Sequence, residues 1–212
     1  MSAPDGEHLQ LSIRFDDAAR VIEHAARQVA SNDPYGCAVI AICGPVGAGK
    51  STLAARIGGT VLATDRYLPD YHLTAPHERD LPESADLTLL AQHLRALRQG
   101  EAIDAPVWSF KSHKREGFER VSPSSTVVIE GIHALHASTF ALIDIPVFID
   151  AGSDIRWSRW ELIERAGLRG MGVEKAREFF HSVAEPTFHA RASEYRAKAR
   201  FLVKNDTGLP AF

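Results

Sequence analysis

The chain has 212 residues, enough for one α/β domain with a complete core. Its 45% hydrophobic and 24% charged content is that of an ordinary globular protein, and no apolar run is long enough to span a bilayer. A formal net charge of −3 leaves no basic footprint for nucleic acid. Residues 1–10 are polar and acidic, unlike a signal peptide.

In chain order, residues 15–30 have helical periodicity. Val21, Ile22, Ala25, Ala26 and Val29 share one side, and Asp16 and Asp17 sit near the start, where they suit the helix dipole. Ser31-Asn32-Asp33-Pro34 ends this helix, which is expected to pack on the core that follows. The apolar run 37–43 suits a buried parallel strand. Its two cysteines, Cys37 and Cys43, would lie roughly 20 Å apart when extended, too far for a disulfide. They read as small apolar residues of a reduced, cytoplasmic protein. A helix is expected from 51 to 57, ended by Gly58-Gly59, and a strand over 60–64, leading into Asp65. The polar stretch 66–83 is long for a simple loop, so it is functional or partly helical. Beyond it lie an amphipathic helix at 87–98, a short strand or extended segment at 105–110, and strands at 126–129 and 145–150. Helices at 155–166 and 173–184 and a last strand at 201–203 complete the pattern. There is no repeat, low-complexity tract or linker, so residues 1–212 read as a single domain. Strands alternating with helices imply an α/β fold, with a five-stranded parallel sheet flanked by helices on both faces. Ligands of such sheets bind at the carboxyl ends of the strands.

The most informative stretch is Gly44-Pro45-Val46-Gly47-Ala48-Gly49-Lys50-Ser51-Thr52, which fits the phosphate-binding pattern G-x-x-x-x-G-K-[ST] between an expected strand and an expected helix. Glycines let the backbone form a cradle of N–H groups, and the helix N-terminus favours the phosphates. Lys50 is placed to reach the β- and γ-phosphates and the Ser51 hydroxyl to ligate Mg²⁺. The chain is therefore expected to bind a nucleoside triphosphate, ATP or GTP. Three acidic residues, Asp65, Glu130 and Asp150, close strand-like runs and would sit on the phosphate side. Glu130 suits Mg²⁺ or its water shell, and Asp65 suits a proton acceptor for an attacking hydroxyl.

Ten histidines include the spaced pairs His133/His136 and His72/His77, but neither pair has a cysteine or glutamate partner in a zinc pattern. They read as solvated or capping residues. Lys111, Lys114 and Arg115 form a short basic cluster, either a solvated turn or an attraction for a phosphate-bearing acceptor. Trp157 and Trp160 read as packing residues.

Several stretches in order resemble the uridine kinase and phosphoribulokinase-like P-loop kinases. After the phosphate loop, Thr64-Asp65-Arg66-Tyr67 is similar to the family's aspartate-aromatic segment, and Asp80-Leu81-Pro82-Glu83-Ser84-Ala85-Asp86 to Asp-His-Pro-Asp-Ala-Phe-Asp. Pro106-Val107-Trp108-Ser109-Phe110-Lys111-Ser112-His113-Lys114-Arg115 is similar to Pro-Val-Tyr-Asp-Tyr-x-x-His-x-Arg. Val128-Ile129-Glu130-Gly131-Ile132 resembles the family's strand and Glu-Gly-Ile, and Phe148-Ile149-Asp150 with Asp154, Arg156 and Arg159 resembles the run into its lid. The resemblance spans about residues 37–206. It implies a P-loop fold with a helical lid at about 155–185, and an ATP-dependent, Mg²⁺-dependent kinase that phosphorylates a small-molecule alcohol, often the 5′-hydroxyl of a nucleoside.

By resemblance, Asp65 is the general base, Ser51 and Glu130 serve Mg²⁺, and Asp80, Trp108 and His113 bind the acceptor. Lys50 and the lid arginines Arg159, Arg165 and Arg169 neutralise the transferring phosphoryl. The chain departs from the uridine kinase pattern at Leu68 and Trp108, where tyrosines are expected, and at Trp160 and Met171, where arginines are. Phe179 stands where a glutamine would contact the base. Rival readings are a same-fold kinase for pantothenate, nicotinamide riboside or a phosphosugar, a nucleotide-dependent switch, and a degenerate kinase without an acceptor. The oligomeric state stays open.

Overall fold

The computed structural model describes residues 10–206; the polar stretch 1–9 lies outside the described residues. The chain runs β1 (Leu11–Arg14), α1 (Phe15–Asn32), β2 (Ala38–Cys43), α2 (Lys50–Ile57) and β3 (Thr60–Ala63). Four short 3₁₀ turns between residues 64 and 84 lead to α3 (Leu87–Arg98), β4 (Ile103–Ser109), β5 (Lys114–Val121) and β6 (Thr126–Gly131). Then follow α4 (Ala137–Phe140), β7 (Ile145–Asp150), α5 (Ser153–Arg165) and α6 (Val173–Phe179), and a π-turn at Phe180–Ala184 leads into α7 (Glu185–Lys198) and β8 (Phe201–Lys204).

Six strands form a parallel sheet in the order β1-β8-β7-β2-β6-β3. β2 is buried along its whole length because both of its faces are covered, as in parallel sheets generally. Its side chains alternate. Ala38, Ile40 and Ile42 meet Phe15, Ala18 and Ile22 of α1 and Leu53 of α2 on one face. Val39, Ala41 and Cys43 join Leu90, Leu94 and Leu97 of α3, and Phe188 and Tyr195 of α7, on the other. Both cysteines are free and buried in these layers.

The sheet has six strands where the sequence implies five. The additional strand, β1, is a four-residue edge strand paired only with β8, and its mostly exposed side chains carry no apolar signature. β5 is also unforeseen: it is polar and pairs antiparallel with β4 in a separate two-stranded hairpin. Residues 66–83 are a chain of 3₁₀ turns rather than an open loop. The helical backbone expected to stop at 184 continues to Lys198 through the π-turn. Pro186 lacks an N–H for the preceding turn, and the irregular turn directly before it accommodates that loss. No helix among the described residues is long and apolar enough to cross a membrane.

Candidate active site

The carboxyl ends of β2, β3 and β6 meet at one cleft of about 400 Å³. The turn from β2 into α2 is the phosphate loop. Gly49 has φ 100°, and a Cβ there would lie 2.3 Å from Asn205 Nδ2; Gly47 has φ 75°, and its Cβ would lie 2.5 Å from the Arg156 carbonyl oxygen. Three successive loop carbonyls are engaged by the protein. Arg156 donates to Val46 O (3.3 Å), Arg159 to Gly47 O (2.9 Å) and Asn205 Nδ2 to Ala48 O (2.8 Å). Holding the carbonyls this way suits a loop whose N–H groups receive an anion. Val46, Gly47, Gly49, Lys50, Ser51 and Thr52 line the cleft, while Gly44, Pro45 and Ala48 are buried beneath it.

Lys50 Nζ donates to Pro45 O at 2.9 Å. Burial lowers its pKa, and the Glu130 and Asp65 carboxylates oppose that shift. Ser51 Oγ donates to Glu130 Oε1 at 2.9 Å, joining the first turn of α2 to the end of β6. Burial raises the pKa of Glu130 against the pull of Lys50. A hydroxyl and a buried carboxylate side by side are hard oxygen donors, the set that Mg²⁺ takes, and a cation there would relieve the cost of burying Glu130. These two residues fit the metal.

Asp65 occupies the 3₁₀ turn after β3, and Asp80 a later turn; both line the cleft. Among the described residues, neither carboxylate accepts a hydrogen bond from protein. Burial, then the neighbouring Asp65, pushes Asp80 up to about 7, with Arg169 and Lys50 pulling the other way. The Asp80 backbone is fixed by His133, whose Nε2 lies 2.6 Å from Asp80 O while its Nδ1 lies 3.0 Å from the Tyr195 hydroxyl. Burial lowers His133 to about 4, so the ring is neutral. A carbonyl only accepts, so Nε2 carries the proton and Nδ1 accepts from Tyr195. His133 is thus neither solvated nor capping, because two hydrogen bonds satisfy it in the core; His136 does cap, accepting from Ser138 N at the start of α4.

The β4–β5 hairpin supplies the far wall. His113, at its tip with φ 52°, lines the cleft and stacks on Tyr71 with ring centres 5.3 Å apart. Trp108, expected to line the acceptor pocket, does not. It is 8% exposed, donates Nε1 to Pro69 O at 3.2 Å and lies edge-on behind Tyr71. Lys111 and Lys114 are exposed and outside the cleft, and the Arg115 backbone N–H donates to Asp70.

The arginines of the 155–185 segment separate. Arg159 lines the cleft, Arg165 lies outside it, and Arg169 enters it. Arg165 is 65% exposed and pairs with Glu161 at 2.8 Å one helical turn away, so its place on α5 directs it to a surface groove. Arg169 is held over the Phe110 ring at 4.5 Å and the Trp160 ring at 5.4 Å. Glu164 organises this region: it accepts from Trp160 Nε1 (3.0 Å), Met171 N (3.2 Å) and Gly172 N (3.0 Å). Asp150, placed on the phosphate side by the sequence, faces Arg196 at 3.6 Å and does not line the cleft. Tyr71 and Glu164 line the cleft without any motif to announce them, and Phe110 lines it from the segment that also carries His113. Asn205, just past the end of β8, holds the phosphate loop.

Residues 39–191 match the model of the phosphoribulokinase/uridine kinase family. The chain is 32% identical over 170 residues to the uridine kinase of Shewanella amazonensis, covering 72% of this chain and 80% of that one. It is 30% identical over 162 residues to the uridine kinase of Brevibacillus brevis, covering 70% and 75%. Among solved structures, a candidate fructose transport system kinase from Silicibacter sp. TM1040 shares the fold with a TM-score of 0.65 at 20% identity, over 86% of this chain and 98% of that one.

Proposed function

The chain belongs to the phosphoribulokinase/uridine kinase family of P-loop kinases, and from that premise we propose that it transfers the γ-phosphoryl group of ATP to a hydroxyl of a nucleoside-like acceptor in the cytoplasm. The observation that carries this reading is the shared cleft. The side-chain carboxylates of Asp65 and Asp80, with no protein hydrogen-bond partner among the described residues, face the same space as Lys50, Ser51 and Glu130.

The roles follow from position. The phosphate loop and Lys50 hold the triphosphate. Asp65 accepts the proton of the attacking hydroxyl as the new oxygen–phosphorus bond forms and the bond to ADP breaks. Lys50 and Arg169 offset the charge on the equatorial oxygens. Mg²⁺ held by Ser51 and Glu130 would neutralise charge on the phosphate oxygens. Arg159 acts through the loop carbonyl it binds, and Arg165, outside the cleft, has no such part in this arrangement.

One observation favours a same-fold kinase with a different acceptor. Leu68, Ile163, Met171 and Phe179 all line the cleft and bring no hydrogen-bonding side chain, apart from a thioether. A wall of this kind does not read the polar edge of a pyrimidine. ADP release from Mg²⁺-ATP against uridine, cytidine, other nucleosides, nicotinamide riboside, pantothenate and ribulose 5-phosphate separates the readings. An acceptor-dependent rate that Asp65→Asn abolishes, with nucleotide binding kept, is the expected result. ATP hydrolysis indifferent to every acceptor and to Asp65→Asn would leave the switch or degenerate reading instead.

A further inference from the structure

Tyr71 belongs to no motif, yet it lines the cleft with Asp65 and Asp80. Its ring is fixed on several sides. His113 lies parallel to it at 5.3 Å, Trp108 edge-on at 5.0 Å, and the Arg79 guanidinium 4.7 Å from its centre. The backbone is fixed as well: Tyr71 N donates to His113 O (2.9 Å) and Tyr71 O accepts from Arg79 (2.9 Å). So ordered a phenol loses little freedom on binding a ligand. Its hydroxyl makes no hydrogen bond to protein among the described residues. Burial and the nearby Asp80 and Asp65 carboxylates push its pKa well above the ordinary phenol range, so it stays a neutral donor.

A fixed donor beside ionisable carboxyl groups narrows the chemistry of what binds there. A carbonyl oxygen accepts from Tyr71 but has no proton for a carboxylate. A phosphate brings negative charge against Asp65 and Asp80. An alcohol satisfies both neighbours, because a hydroxyl donates and accepts at once.

We infer that Tyr71 donates a hydrogen bond to the same acceptor hydroxyl that in turn donates one to Asp80, so that the cleft selects a polyol: one hydroxyl at Asp65 for transfer, a second held between Tyr71 and Asp80. This rests on the kinase reading above and makes Tyr71 a specificity residue of that site.

The test uses the full chain with Mg²⁺-ATP and compares wild type with Tyr71→Phe. The acceptors are ribose, sorbitol, uridine, its 2′-deoxy and 3′-deoxy forms, and 2′,3′-dideoxyuridine. Tyr71→Phe keeps the aromatic stack, so its melting temperature and KM for ATP should match wild type. Its kcat/KM for the accepted polyol should fall on the order of 10–100-fold. Removing the second hydroxyl from the acceptor should cost the variant less than it costs wild type, since Tyr71→Phe has already removed one of that hydroxyl's two contacts. Losses that multiply, a variant within about twofold of wild type, or a mono-hydroxy acceptor turned over as fast as the polyol would overturn the inference and leave the kinase reading intact. No turnover with any polyol, with ATP still bound, would overturn the inference together with the nucleoside-like reading.

Discussion

Arg156 and Glu185 form a two-pronged ion pair at 2.5 and 2.6 Å, and the same guanidinium donates to Val46 O in the phosphate loop and to Ala151 O. The pair is nearly removed from water, with side chains 3% and 12% exposed. It ties the start of α7 to α5, and α5 to the loop. Burial alone would raise the pKa of Glu185, but the Arg156 hydrogen bond and charge hold it below the ordinary carboxylate range.

Glu185→Gln should therefore be costly, because it leaves a buried guanidinium without its counter-charge. The expected loss is about 3 kcal/mol, read as a melting temperature lower by ~6–12 °C. ATP should bind more weakly as Val46 loosens. The pH dependence has a definite sign. A depressed folded pKa contributes stability that is present above the unfolded value of 4.5 and is lost as pH falls through the folded pKa. The gap between wild type and variant should thus close in acid, and a gap that widens there would contradict this account.

The Ser51–Glu130 contact leads to a prediction about metal dependence. Ser51→Ala and Glu130→Gln each remove one hard oxygen donor, and each should raise the Mg²⁺ concentration for half-maximal rate about 10-fold or more. Ser51→Thr keeps the hydroxyl and should stay near wild type. A Mg²⁺ titration at fixed ATP decides, and unchanged curves for both donor-removing variants would refute the assignment.

The legible part of this site is local in sequence. The phosphate loop is legible because glycines, Lys50 and Ser51 must stand at fixed spacing, and β2 because a strand buried on both faces is an unbroken apolar run. Asp65 and Glu130 could be picked out because each follows such a run. β1 and β5 carry no such pattern, since edge and hairpin strands with exposed faces stay polar. Arg165 and Arg169 cannot be told apart by composition; only the end of α5 and the turn after it send one outward and the other over Phe110. Tyr71, His133, Asn205 and Glu185 act through partners 29 to 157 residues away, and spacing says nothing about such pairings.

Asp80 should trade stability for binding. Its folded pKa of about 7 lies above the unfolded value of 3.8, so the native state holds the extra proton between them. Stability from this group is full below the unfolded value and declines as pH rises from about 4 to 7. Asp80→Asn removes that decline and should raise the melting temperature at pH 8 by at least ~2–4 °C, the equivalent of about 1 kcal/mol, with little change at pH 4. The same variant should raise the acceptor KM about 10-fold or more while leaving the KM for ATP alone. A variant less stable than wild type at pH 8 would show that Asp80 is ionised and well paired in the free protein.

Glu164 offers the sharpest separation of architecture from chemistry. Its carboxylate gathers the Trp160 indole and the backbone N–H groups of Met171 and Gly172, and Trp160 is one of the two rings beneath Arg169. Glu164→Ala frees all three donors, so the 165–172 turn should loosen and Arg169 should lose its fixed approach to the phosphates. The expected outcome is a kcat lower by ~10–100-fold, about 1.4–2.7 kcal/mol of transition-state stabilisation, with ATP affinity nearly unchanged because the phosphate loop is held by Arg156, Arg159 and Asn205. Hydrogen exchange should rise at Met171 and Gly172 and stay low in β2. Arg169→Ala should give a similar loss of kcat without the rise in exchange, and the double variant should be little slower than either alone. Multiplied losses would mean that Glu164 and Arg169 act independently.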